Sequence, residues 1–186
     1  EHKIQGQQDI ELNSTGIKQA EELGATLLGK KYNIIKIYSS TKKRAAKTAE
    51  IVSNILHMNY NAIAGLEEMN FGDWEGLNFL EIQVKYQNEY RKWFNNRRFV
   101  NTPNGESYDE MLMRVISALK KIIEENNNSE PNLDNSENHI LVVTHGAVMM
   151  SLQALINNTP FEEMVNTYRT GNTSTVVISS DKIIHL

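Results

Sequence analysis

The sequence predicts an α/β fold, a layered helix/sheet/helix arrangement with a mostly parallel central sheet. Helical periodicity alternates with short apolar, β-rich runs along most of the chain. One of those runs, Ile140-Leu141-Val142-Val143, is continuous, as expected of a strand buried on both faces. Two of the runs also end in small polar residues just where a helix begins, at Ser39-Ser40-Thr41 and at Thr144-His145-Gly146.

Residues 14–29 place Ile17, Ala20, Gly24 and Leu27 on one helical face, with Lys18, Glu21 and Glu22 elsewhere. Residues 34–38 read as a strand. The helix that follows runs from Thr41 to about Leu56, with Ala45, Thr48, Ala49 and Val52 inward. A short strand at 61–64 leads into Leu66 to Gly76, where two glycines and no clear period indicate a structured loop. Helical character returns over 78–94. Pro103-Asn104-Gly105 is a turn, and Ser107 with Glu110 forms the two halves of a capping box for a helix reaching Glu125. Residues 126–138 are polar and Asn-rich and have little to bury, so a flexible surface insert is expected there, inside one domain spanning 1–186. A helix from Gly146 to Ile156 follows the apolar run. The β-rich stretches 173–178 and 182–186, separated by Ser179–Asp181, read as a hairpin.

With 186 residues, 40% of them hydrophobic and 23% charged, the chain has an ordinary globular balance. A net charge of −4 and a pI near 5.8 offer no general attraction for nucleic acid or an anionic membrane. One or two buried arginines would still suffice for a small anionic substrate. The absence of cysteine excludes disulfides, thiolate nucleophiles and Cys-based zinc sites. No H-E-x-x-H or comparable spacing occurs, so no metal and no cofactor are expected. No apolar run approaches membrane-spanning length and Glu1 opens no signal peptide, so a cytoplasmic protein is expected. Oligomeric state leaves no signature.

Ligand sites in open α/β sheets lie beyond the carboxyl ends of the strands, which puts the two junctions first. Arg44 falls in the first turn of a helix, where free N–H groups and partial positive charge suit phosphate. A solvated basic patch with Lys42 and Lys43 explains it equally. His145 leaves a strand as a helix begins, with Gly146 allowing close backbone approach; a histidine satisfied by backbone is the other reading. Glu68, in the loop with Trp74, is either a carboxyl shielded enough to act as a general acid or a solvated loop acid like Glu67 and Glu75. Glu106 is a weaker candidate, since capping already explains its neighbour Ser107.

In this order the segments resemble the histidine phosphatase superfamily, which includes the phosphoglycerate mutases. The matching pieces are Lys3-Ile4-Gln5-Gly6, Leu12-Asn13 with Gly16 and Gln19-Ala20, and Tyr38-Ser39-Ser40 with Arg44-Ala45 and Thr48-Ala49. They continue with Leu66, Glu68 and Phe71-Gly72-Asp73-Trp74-Glu75-Gly76, then Gly105-Glu106-Ser107 and Val143-Thr144-His145-Gly146. The resemblance implies a phosphoglycerate mutase-like fold, Arg44 as a phosphate-binding arginine, Glu68 as proton donor, and His145 as a cation holding the transferring phosphoryl group. Gln5 and Gly6 correspond to positions that line the pocket and contact the phosphate. The family's nucleophile is the histidine of an Arg-His-Gly motif at the end of its first strand. That strand is expected just ahead of Glu1.

The implied activity is hydrolysis of a small phosphorylated substrate through a phosphohistidine, without metal. A phosphoglycerate mutase is the alternative enzyme, and Arg97 and Arg98 could serve it, although a solvated basic turn explains them better. A non-catalytic phospholigand-binding protein is the alternative of another class.

Overall fold

The computed structural model describes residues 3–30, 32–127, 137–169 and 171–186. Its centre is a parallel sheet of three strands in the order β2-β1-β3, with β1 at Asn33–Ser40, β2 at Tyr60–Ile63 and β3 at Asn138–Val143. The middle strand sets Ile37 opposite Tyr60 on one side and Leu141 on the other. Parallel neighbours need crossovers of a dozen residues or more, and helices supply them here. α2 (Lys43–Ile55) joins β1 to β2, and α5 (Tyr108–Asn126) returns toward β3. α1 (Ser14–Gly29) packs against α2, and α6 (Gly146–Ile156) leaves the end of β3. The expected layered fold with a parallel sheet is present.

Local chemistry accounts for most element boundaries. Asn13 accepts from the N–H of Gly16 at 2.9 Å and starts α1. The Ser107–Glu110 box closes in both directions: Glu110 N–H donates to the Ser107 hydroxyl at 3.2 Å, and Ser107 N–H to the Glu110 carboxylate at 2.9 Å. The helix expected over 78–94 is two helices, α3 (Phe79–Lys85) and α4 (Gln87–Asn95), broken at Tyr86. The break wraps Tyr86, Tyr90 and Trp93 around the fully buried Trp74, with ring centroids 5.3–6.4 Å from it. Trp74 thus anchors the core with Met111, Leu112 and Val115 of α5. Of the expected Asn-rich insert, Asn126 ends α5 and Asn138 begins β3, while 128–136 lie outside the described residues.

Two expectations are corrected. Residues 173–178 form no strand, and the end of the chain is a short helix, α8 (Ser180–Ile184), where a hairpin arm is expected. The β-branched run Thr173–Ile178 has no strand to pair with among the described residues, and β-propensity is expressed only against a neighbour. Val176 and Val177 are accordingly 43% and 65% exposed. Ser179, expected in the hairpin turn, instead accepts from Lys182 N–H at 3.1 Å and opens α8. Secondly, the run Ile140–Val143 is only half-buried, since among the described residues β1 is the one strand that β3 pairs with. The run lines a cavity of about 1170 Å³ together with residues of α1, α5, α6 and the stretch Thr173–Ser180. The short helix α7 (Met164–Tyr168) packs on α6. Among the described residues no helix is long and apolar enough to cross a membrane.

Candidate active site

The carboxyl ends of β1 and β3 lie side by side, with Ser39 paired to Val143. Ser40 and His145 therefore emerge next to each other, and the His145 Nε2 sits 2.8 Å from the Ser40 hydroxyl. A hydroxyl both donates and accepts, so this contact orients the ring in either neutral tautomer. His145 is 6% exposed. Burial first, then the charges of Arg44, Arg114 and Lys42, push its pKa down to about 3. Without a bound anion, both causes favour the neutral ring. The physical reason is the company it keeps: three cations and little water. A dianion bound among those cations would reverse the balance and favour the protonated ring.

Arg44 lies one residue into α2 and turns its half-buried guanidinium back onto the N-terminal stretch. One Nη donates to the Gly6 carbonyl at 2.6 Å and the other to the Gln8 carbonyl at 2.8 Å. A guanidinium has five N–H donors, so these bonds leave three for a ligand. Burial lowers the Arg44 pKa, and Glu68, Asp9 and Glu75 pull it back up, with Glu68 the strongest of the three. Asp9 also caps the helix by accepting from Lys43 N–H at 2.8 Å. The setting of Arg44 is thus two backbone carbonyls and the three carboxylates of Glu68, Asp9 and Glu75.

Gly6 has φ +52°, and a β-carbon there would overlap the Glu75 carboxylate. That carboxylate is itself occupied, accepting from Gln7 N–H at 2.8 Å and Phe71 N–H at 3.2 Å. Glycine lets the chain turn tightly enough for its carbonyl to meet Arg44. Gln5, Arg44 and His145 border the large cavity; Gly6 does not, and takes part through its carbonyl alone.

Glu68 is half-buried and stands away from that cavity's wall. One carboxyl oxygen accepts from Met69 N–H at 3.0 Å, the other from Ala147 N–H at 3.3 Å. The second contact places the acid on the N-terminus of α6, two residues beyond His145. Burial raises the Glu68 pKa, opposed by the Met69 and Ala147 N–H groups, Arg44 and the Val148 N–H. Tyr108, buried in the same core as Trp74, has its hydroxyl pKa pushed up by burial first and by Glu68 second. Arg44 thus lies in the field of both Glu68 and His145, and Glu68 reaches the backbone two residues beyond His145, although the three come from separate stretches of chain.

Four residues that sequence reasoning left unassigned also belong to this neighbourhood: Ser40 against His145, Asp9 on α2, and Arg114 with Glu67 behind Glu68. Only Ser40 carried a sequence signal, as a polar residue beside a helix start; Asp9 meets its helix across 34 positions. Arg97 is a further correction. It is 7% exposed, with its guanidinium carbon 5.0 Å from the Trp93 ring and 5.1 Å from Phe94, and its Nε has no partner. A flat, weakly hydrated guanidinium can be buried against aromatic faces in a way an ammonium cannot. Arg98 pairs instead with Asp109 at 3.0 Å. No group of three or more His, Asp or Glu side chains among the described residues is placed to hold a metal ion.

The chain is similar to known proteins. A family model, the histidine phosphatase superfamily (branch 1), matches residues 1–182. Phosphoglycerate mutase-like protein 4 of Arabidopsis thaliana is 35% identical over 154 residues, covering 82% of this chain and 63% of that protein. The uncharacterized phosphatase PhoE of Bacillus subtilis is 32% identical over 152 residues, covering 82% of this chain and 67% of the relative. The chain thus spans about two thirds of the length of these curated relatives. Among solved structures, a mutant phosphoserine phosphatase from Entamoeba histolytica in complex with phosphoserine superposes with a TM-score of 0.73. That pair is 28% identical, with 92% of this chain and 79% of the other covered. Sequence match and fold lead to one family, and the chain belongs to branch 1 of the histidine phosphatase superfamily.

Proposed function

We propose that this chain is the larger part of a phosphomonoesterase that works through a phosphohistidine on a small phosphorylated substrate. The observation that carries the reading is the meeting of Arg44, His145 and Glu68 at the strand ends and the N-terminus of α6. Cationic and N–H donors around one point suit a transferring phosphoryl group, whose chemistry needs mainly positioning and charge stabilisation. A poised acid with a raised pKa suits the leaving oxygen.

In this scheme a histidine ahead of Glu1 attacks phosphorus as the bond to the leaving oxygen breaks. Glu68 gives its proton to that oxygen. Glu68, now a carboxylate, takes a proton from water as the water oxygen displaces the histidine nitrogen, releasing orthophosphate and restoring the acid. Arg44 and His145 hold the equatorial oxygens throughout, with Gln5 and the Gly6 backbone alongside. The cavity bordering β3 supports a place for the strand that would carry the nucleophile, since a parallel neighbour there would end beside His145. Residues ahead of Glu1 are well placed to feed it, because Ile4 is tied to the site's loop through Leu77 (2.9 Å) and Gly76 (2.8 Å). A cytoplasmic location fits small phosphorylated metabolites.

The test is to incubate the full natural protein with labelled phosphomonoesters and quench. An acid-labile, base-stable adduct with orthophosphate as product is expected. No adduct and no orthophosphate would favour a binding protein. Interconversion of phosphoglycerates dependent on the bisphosphate would favour a mutase.

A further inference from the structure

The loop that presents Glu68 has no regular structure of its own between β2 and the turn at Gly72. Gln7 donates to its Glu68 carbonyl at 3.2 Å and Thr144 to its Leu66 carbonyl at 2.8 Å, but one side chain from α5 makes three such bonds. Arg114 donates through Nη1 to the carbonyls of Gly65 at 3.1 Å and Glu67 at 2.8 Å. Through Nη2 it donates to the carbonyl of Glu68 itself at 2.9 Å. The remaining two N–H groups fork onto Glu106, Nη2 to Oε1 at 2.6 Å and Nε to Oε2 at 3.1 Å. Those five bonds use every donor a guanidinium has. Arg114 therefore has none to offer a substrate, in contrast to Arg44.

The far side of Glu68 is held by the same pair. Glu106 Oε1 accepts from Asn70 N–H at 2.8 Å, and its own N–H donates to the Asn70 carbonyl at 2.9 Å. Glu68 is thus bracketed by Arg114 on its own and preceding residues and by Glu106 two residues later. Gly65, at φ +99°, lets the loop press against α5, where a β-carbon would stand 2.9 Å from that of Ala118 and 3.2 Å from the Arg114 carbonyl. A third contact ties this brace to the phosphate side. The Glu67 carboxylate lies 3.7 Å from Arg114 Nη1 and accepts from the Thr41 hydroxyl at 2.6 Å, three residues before Arg44.

We propose that Arg114, seated on Glu106, is a positioning residue for proton transfer: it fixes the height of the Glu68 carboxyl over the N-terminus of α6 without touching the substrate. This rests on the reading of Glu68 as the proton donor. Geometry of this kind matters because a misplacement of about 1 Å can cost ~100-fold in rate. Lysine cannot replace Arg114, since three donors on one nitrogen cannot span three carbonyls and a carboxylate.

The experiment compares Arg114→Gln, Arg114→Lys, Glu106→Gln, Glu68→Ala and the Arg114→Gln/Glu68→Ala pair in the full natural protein. Each is assayed on an alkyl phosphate and on nitrophenyl phosphate, whose leaving group scarcely needs a proton. Arg114→Gln is expected to lower kcat on the alkyl phosphate about 10–100-fold, with KM and the nitrophenyl rate within a few-fold of wild type. Arg114→Lys should recover little, and the double variant should be no slower on the alkyl phosphate than Glu68→Ala alone. If Arg114→Gln does not fold, as judged by circular dichroism, Glu106→Gln, which loosens the same arginine, carries the same comparison. Equal losses on both substrates, additive losses in the pair, or no loss at all would overturn the positioning role. If Glu68→Ala itself shows no leaving-group dependence, the proton-donor reading fails first and the inference falls with it.

Discussion

Replacing Glu68 by alanine is expected to slow hydrolysis of an alkyl phosphate by about 10²–10⁴-fold while leaving nitrophenyl phosphate turnover far less affected. The difference comes from the leaving group: an alkoxide must be protonated as it departs, a nitrophenolate need not be. The same side chain predicts a pH dependence with a definite sign. Burial raises the Glu68 pKa, so the proton-bearing form persists to higher pH than an ordinary carboxyl allows. kcat on the alkyl phosphate should therefore decline on the alkaline side, as pH rises through that raised pKa, and the limb should vanish in Glu68→Gln. Steady-state rates on both substrates across pH provide the check. An equal loss on the two substrates would remove the acid role.

Arg44→Ala is expected to lower kcat by roughly 10²–10³-fold, the usual cost of removing one preorganised donor from a charge-stabilising site. Nitrophenyl phosphate should suffer as much as the alkyl ester here, because the phosphoryl group is common to both. This opposite substrate pattern separates Arg44 from Glu68. The structure adds a second consequence: the guanidinium also ties down the Gly6 and Gln8 carbonyls. Losing it frees the strip that carries Gln5, and a fall in melting temperature should accompany the fall in rate. Arg44→Lys keeps the charge but not the fork, and should recover only part of each. A variant with wild-type kcat would remove Arg44 from the site.

What was legible in the sequence was what depends on near neighbours. The Ser107–Glu110 box and the strand-to-helix junctions at Ser40 and His145 are written in residues a few positions apart, and all are present in the fold. Arg44 and His145 stand out as candidates for that reason, since side chains at such junctions lie beyond the carboxyl ends of the strands. The errors lie where distant partners decide. Thr173–Ile178 has strand composition, yet composition cannot say whether a neighbour is present to pair with. Arg97 looked like a solvated turn residue until the aromatic rings of α4 closed over it. Arg114 is the clearest case: it meets the Glu68 carbonyl across 46 positions, and on α5 it looks like any helical arginine.

The central claim is that Arg44, His145 and Glu68 face one anion. The most direct measurement is a crystal structure of the full natural protein with orthovanadate, a mimic of the transferring phosphoryl group. The account predicts vanadate oxygens on the free donors of the Arg44 guanidinium and on the His145 ring, with the Glu68 carboxyl within hydrogen-bond reach of an apical oxygen. Vanadate bound elsewhere, with Arg44 still turned wholly onto the Gly6 and Gln8 carbonyls and His145 engaged only by Ser40, would contradict it.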